Sequence, residues 1–234
     1  MSDDPRFAEP LYTVAQAARL VGMSPSTLAS WAKGYRHRFP DRPTVAKGPV
    51  VTSLAPNAGA TIPFVGLVEA IVVQAFRRTE LPLQRIRKAL DVLAAEGDIA
   101  HPLASRRLYT DGAEVLYDYA TDAGDGQLRL LTVVSSGQRV FHEVVDSYLR
   151  RVHFADDPWA SEVIVPVTPR EVLRIRPGVS SGDPVFMAGG APLSAVVSRR
   201  KAGESIASLA DDYGIPPADL TEALDAVRAT PIAA

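Results

Sequence analysis

A mainly helical α+β fold is predicted for this 234-residue chain by three observations. Apolar residues recur at helical spacing near both ends, one helix-Gly-helix pattern appears twice, and the stretch after Arg170 breaks into short extended pieces punctuated by Gly and Pro. The expected organisation is an N-terminal winged helix-turn-helix unit over 8–100 and a middle hairpin-and-helix region with a linker over 101–160. A small C-terminal helical domain with a β-hairpin completes it over 161–234.

In the first unit Thr13 is placed to cap a helix carrying Val14, Ala17, Ala18 and Val21 on one face, and Gly22 supplies the left-handed residue that ends it. Ser24 caps the next helix, Pro25 occupies its first position, and Leu28 and Trp31 share its inner face. Further on, "VVTSL" reads as a short strand and "IPFVGLVEAIVVQAFRR" as a helix buried around most of its circumference. "LPLQRIRKALDVLAAEG" is amphipathic, with Leu83, Ile86, Leu90 and Leu93 inward and Arg85, Arg87 and Lys88 expected in solvent. "RRLYTDGAEVLYDY" reads as a strand pair about Asp-Gly, and "GQRVFHEVVDSYLRRVHF" as a helix to about Arg151. The prolines and acids of "DDPWASEVIVPVTP" suit a linker whose strand-like run joins a neighbouring sheet, and Gly189-Gly190 suits a hairpin turn.

The internal repeat carries most of the functional information. Thr13–Arg38 laid over Ser205 onward, 192 positions later, sets Ile206 on Val14, Gly214 on Gly22, Pro217 on Pro25 and Leu220 on Leu28. The two copies differ in charge. Lys33, Arg36, Arg38, Arg42 and Lys47 follow the first against the single acid Asp41, whereas Asp219, Glu222 and Asp225 in the second meet only Arg228 nearby. Ser24, Ser26 and Thr27 would place short hydroxyl donors beside free backbone amides at the start of the second helix, which suits a phosphate or a base edge. The expected DNA-binding set is Ser24, Ser26, Thr27, Lys33, Arg36, Arg38 and Lys47. Phosphate would be repelled by the acidic copy, so that copy is expected to bind protein, through Ile206, Leu209, Tyr213, Leu220, Leu224 and Val227. Its apolar face looks wide for so short a helix pair and suits homodimerisation, and truncation after Asp157 is then expected to leave a folded monomer.

Other classes are weakly supported. The chain has no cysteine, which removes disulfides, thiolate zinc sites and cysteine nucleophiles and fits a cytoplasmic protein. Its start is acidic without an apolar core, and the longest apolar run carries Glu69, so neither a secretion signal nor a membrane span is expected. His37, His101, His142 and His153 have no helical metal spacing, and no nucleophile elbow or phosphate-binding loop is present, so no enzyme, metal or cofactor is expected. An adaptor using both helical units for protein contacts, without DNA, is the alternative.

Two segments carry a family resemblance. "YTVAQAARLVGMSPSTLASW" resembles the winged helix-turn-helix of the MerR-like group, with its Tyr-Thr start, Gly turn and Ser-x-x-Thr-Leu second helix. Ala29 stands where that group usually has arginine, Ser30-Trp31 replaces its aromatic pair, and the long coiled coil is interrupted at Gly97. "RPGVSSGDPVFMAGGAPLSAVVSRRKAGESIASLADDYGIPPADLTEAL" is similar to a small uncharacterised helical family, through Pro-x-Val-x-x-Gly-x-Pro-Val, Ala-Gly-Glu-Ser and Asp-Tyr-Gly. With "FVGLVEAIVVQAFRR", "IRKAL", "HPLASRRLYTDG" and "GQRVF" between them, the layout resembles actinobacterial VapB-type antitoxins, which are paired with PIN-domain-like ribonuclease toxins. The resemblance implies a repressor of its own operator that also neutralises such a toxin.

Overall fold

The computed structural model describes residues 4–39, 42–54, 59, 61–78, 82–84, 86, 87, 90, 91, 101–106 and 150–229. A short helix α1 (Pro5–Ala8) is capped by Asp4. In α2 (Val14–Val21) Thr13 and Gln16 form a reciprocal capping box, and Gly22 at φ 75° closes the helix. Ser24 caps α3 (Pro25–Lys33), which buries Leu28, Trp31 and Ala32. Gly34 at φ 69° then turns the chain into an antiparallel hairpin of β1 (Tyr35–Phe39) and β2 (Arg42–Lys47), with Tyr35 opposite Lys47 and His37 opposite Val45.

Helix α4 (Phe64–Arg78) is buried on almost every side, as its largely apolar run demands, and only Gln74, Arg77 and Arg78 are not. Val50–Leu54 is not the expected strand. The amides of Val50 and Val51 donate to the Trp31 carbonyl at 2.8 and 3.3 Å, so the end of α3 satisfies backbone that a sheet would otherwise have to. Positions 83, 84, 86, 87, 90 and 91 are helical, but Arg87 is buried rather than solvated and its guanidinium donates to the Gly48 carbonyl. The expected strand pair from Arg106 to Tyr119 lies outside the described residues except for Arg106, and so does the helix before Arg150.

Four antiparallel strands follow in the order β3 (Val152–Phe154), β4 (Ala160–Ile164), β5 (Leu173–Ile175) and β6 (Val185–Phe186). The expected linker therefore contributes β4, an inner strand of this sheet, buried at four of its five positions. After β6 the chain folds back through Gly189 and Gly190, the Phe186 amide donating to Ala191 at 2.9 Å, as a hairpin turn requires. Three helices end the fold: α5 (Leu193–Lys201), α6 (Ile206–Tyr213) and α7 (Pro217–Ala229).

One continuous hydrophobic cluster runs from Phe7, Leu28 and Trp31 through Phe64 and Phe76 to Phe186, Leu209 and Leu220. It crosses the expected boundaries after 100 and after 160. Cutting after Asp157 would part β3 from β4 and open this core, so a folded truncated monomer is not what the packing supports.

Candidate nucleic-acid interface

At the N-terminus of α3, Ser24 Oγ accepts from the Thr27 amide at 3.2 Å and lies 2.7 Å from Thr27 Oγ1 and 3.1 Å from Ser26 Oγ. All three residues are exposed. The first turn of α3 contains no acid, so the positive end of its dipole faces solvent without a competing carboxylate. Leu28 and Trp31 anchor the opposite face of the helix, at 0% and 3% exposure, which fixes the hydroxyls outward. Trp31 is therefore a core residue and not part of the exposed face.

Lys33 is exposed in the last turn of α3. Arg36 and Arg38 are two apart on β1, with Arg36 opposite Ala46, and Lys47 ends β2 opposite Tyr35. Arg36, Arg38 and Lys47, expected on a wing or loop, thus stand on a two-stranded hairpin that leaves α3 directly. A hairpin in this position tracks a duplex backbone beside a helix that enters a groove.

The second copy repeats the N-cap and the helix-closing turn of the first. Gly22 and Gly214 both adopt the left-handed conformation, at φ 75° and 63°. Their amides donate to Ala18 and Ala210, and the next amides, Met23 and Ile215, donate to the same two carbonyls at 2.9 and 3.2 Å. Thr13 and Ser205 each cap through the amide three residues on. The sequence match is therefore a match of backbone geometry, set by the same cap and turn residues.

The surroundings of the two copies diverge. Leu209, Leu220 and Leu224 are buried in the core, so the chain's own packing consumes the apolar face that was expected to be surplus. Ile206, Tyr213 and Val227 are half-buried and retain some surface. The acids of α7 are not bare either. Arg170 donates from its backbone amide to Glu222 Oε1 at 2.7 Å, from Nε to Glu222 Oε2 at 2.6 Å, and pairs with Asp219 at 2.8 Å. These bonds to Arg170 hold the Glu222 carboxyl below its usual range against the opposing effect of its partial desolvation. Sequence proximity pointed only to Arg228, which pairs with Asp225 at 3.6 Å.

One polar cluster escaped the sequence reading. Glu69, buried inside α4, accepts from the Thr52 amide at 2.6 Å and lies 2.9 Å from His101 Nδ1, which is 3.0 Å from Thr52 Oγ1. His101 adopts φ 54° and packs against Phe7 and Trp159. The Glu69 side chain thus ties an irregular backbone segment to α4. Among the described residues, no group of three or more His, Asp or Glu is placed to hold a metal, and no helix is long and apolar enough to cross a membrane.

Two segments of the chain match known families. Residues 10–90 match the family described as "Putative DNA-binding HTH domain", and residues 173–225 match "Protein of unknown function (DUF433)". The chain is 42% identical over 231 residues to "Putative antitoxin VapB45" of Mycobacterium tuberculosis, covering 96% of both proteins. It is 22% identical to "Uncharacterized protein Rv2308" of the same organism, over 92% of this chain and 89% of that one. The X-ray crystal structure of Rv2018 from Mycobacterium tuberculosis superposes with a TM-score of 0.76 at 40% identity, over 94% of this chain and all of the other. An N-terminal helix-turn-helix, a C-terminal domain of the second family and near-complete alignment to one relative place this chain in the family of "Putative antitoxin VapB45".

Proposed function

We propose that this protein is the antitoxin of a type II toxin-antitoxin pair, acting in the cytoplasm both as repressor of its own operator and as inhibitor of a PIN-domain-like ribonuclease. The observation that carries the DNA half is the exposed hydroxyl cluster at the acid-free start of α3, followed directly by a basic wing. Ser24, Ser26 and Thr27 contact the groove, and Lys33, Arg36, Arg38 and Lys47 take the phosphates. The MerR-like arrangement of helix, Gly turn, helix and wing supports this assignment.

For the toxin half, the C-terminal helix pair keeps a helix-turn-helix backbone but carries Asp219 and Glu222, both paired with Arg170, and the exposed Asp225 on α7 in place of the hydroxyls and cations of the first copy. A protein partner fits that charge better than DNA does. The half-buried Ile206, Tyr213 and Val227 are the contact residues still accessible from the expected set, while Leu209, Leu220 and Leu224 hold the helices together beneath them. A homodimer supplies the two half-sites that helix-turn-helix repressors read.

Native mass spectrometry of the chain co-expressed with the product of the adjacent gene, with a ribonuclease assay of the complex, tests the toxin half of this reading, and binding of the chain to its own promoter fragment tests the DNA half. A stable complex containing two copies of this chain, with loss of ribonuclease activity in the partner, is the expected result. A chain that binds its neighbour but never its own promoter fragment would support the adaptor reading instead.

A further inference from the structure

A cleft of about 440 Å3 separates α2 from α5. One wall is Leu11, Arg19 and Leu20, and the other is Leu193, Val197 and Lys201. Leu11, Leu20 and Val197 are only half-buried, so apolar surface remains open inside the cleft. Its size and its mostly apolar lining with a few polar groups suit a small molecule, and a junction between two structural units is a common place for one.

Two unneutralised cations give the cleft its chemical preference. Among the described residues, the side chains of Arg19 and Lys201 have no hydrogen-bond or ion-pair partner, although Arg19 is half-buried. Arg170, Arg176 and Arg199, by contrast, are each held by carboxylates. The single acid on the lining, Asp183, accepts from the Ser194 amide through Oδ2 at 3.0 Å at the start of α5, a bond that fixes its orientation and leaves its charge in place. A carboxylate in this cleft would meet one half-buried guanidinium and one exposed ammonium, two positive charges against the single negative charge of Asp183.

We propose that this cleft binds a small monocarboxylic acid with an apolar body, its carboxylate taken by Arg19 and Lys201 and its hydrocarbon by Leu11, Leu20, Leu193 and Val197. Its two walls come from the helix that supports α3 and from the first helix of the C-terminal unit. An occupant would bridge them and couple its own concentration to the set of the DNA-binding unit. This goes beyond the antitoxin reading and does not depend on it, since binding is read without DNA or toxin.

Octanoate is the probe, titrated calorimetrically into the full chain, with octanol as the uncharged control of equal length. Octanoate should bind at least tenfold more tightly than octanol. The double variant R19Q/K201Q, which changes only side chains without internal partners, should keep the parental melting temperature, lose at least tenfold in octanoate affinity and leave octanol unchanged. V197W, which fills the cleft, should weaken both ligands. Absence of octanoate binding at millimolar concentration would overturn the proposal. So would equal affinity for octanol, or an octanoate affinity unaltered in R19Q/K201Q; ligand-observed NMR on the same samples gives an independent reading if the calorimetric heat is small.

Discussion

The Tyr12 hydroxyl donates to the Gly182 carbonyl at 2.6 Å, joining the residue that leads into the first helix-turn-helix to the loop before β6. Burial pushes the Tyr12 phenol well above its ordinary pKa, with the nearby Asp183 charge adding to the effect, so it acts as a neutral donor throughout the physiological range. Tyr12→Phe leaves a buried carbonyl without this donor and should cost about 1–2 kcal/mol by chemical denaturation. Gly182 is in the left-handed region at φ 79°, and an added Cβ would meet Tyr12 Oη at 2.8 Å. Gly182→Ala should therefore cost at least as much as Tyr12→Phe, and a smaller loss would show that the loop yields freely.

Arg6 holds two carboxylates at once, pairing with Asp4 at 2.6 Å and with Asp157 across 151 residues. The hydrogen bonds from Arg6 hold both carboxyls below their ordinary value of 3.8. A lowered folded pKa means that the stabilisation is complete above about pH 4–5 and is lost as pH falls through the lowered values. Because Asp157 is 40% exposed, the pair is discounted for solvent to roughly 0.5–1 kcal/mol. Asp157→Asn should lower the melting temperature at pH 7 and converge with the parent near pH 2; a difference that persists there would assign the loss to the Trp159 amide that Asp157 also accepts from.

Gly189 and Gly190 are neighbours in one turn, both at positive φ, but their surroundings differ. A Cβ on Gly189 would sit 2.0 Å from the Tyr213 carbonyl at the end of α6, whereas one on Gly190 would meet nothing within 4 Å. Gly190→Ala should cost about 1 kcal/mol from backbone strain alone. Gly189→Ala should cost clearly more, because two backbone segments must separate. Equal melting temperatures for the two variants would mean that α6 does not press on this turn.

Trp31 is 3% exposed, so Trp31→Ala, which keeps the backbone carbonyl and removes the buried indole, should cost roughly 3–5 kcal/mol. Retention of the parental melting temperature with loss of DNA binding would make Trp31 a contact residue.

The parts of this fold that were legible in the sequence are those fixed by neighbours. Thr13, Gly22, Ser24 and Pro25 act within four residues of themselves, so both caps and the turn of the first unit could be read directly, and so could the same devices at Ser205, Gly214 and Pro217. Helix α4 was visible because no polar period interrupts it. The misread segments depend on distant partners. Val50 and Val51 look like a strand until α3 takes their amides, Arg87 looks solvated until Gly48 accepts it, and the acids of α7 look bare until Arg170 arrives from 52 residues away. The continuity of the core across the expected boundaries was hidden for the same reason, since Tyr12–Gly182 and Arg6–Asp157 are pairings that no local pattern signals.

The most direct test of the account is the salt dependence of binding to a duplex of the protein's own promoter, followed by fluorescence anisotropy for the parent and for the double variant R36A/R38A. If the wing lies along the phosphates, the parent binds with a steep negative slope of log affinity against log salt, and the double variant loses about two units of that slope on specific and random duplexes alike. Ser26→Ala and Thr27→Ala should leave the slope nearly unchanged while narrowing the gap between specific and random sequence. A parental slope retained by R36A/R38A, or a parent protein that binds no duplex at low salt, would contradict the placement of α3 and the wing on DNA.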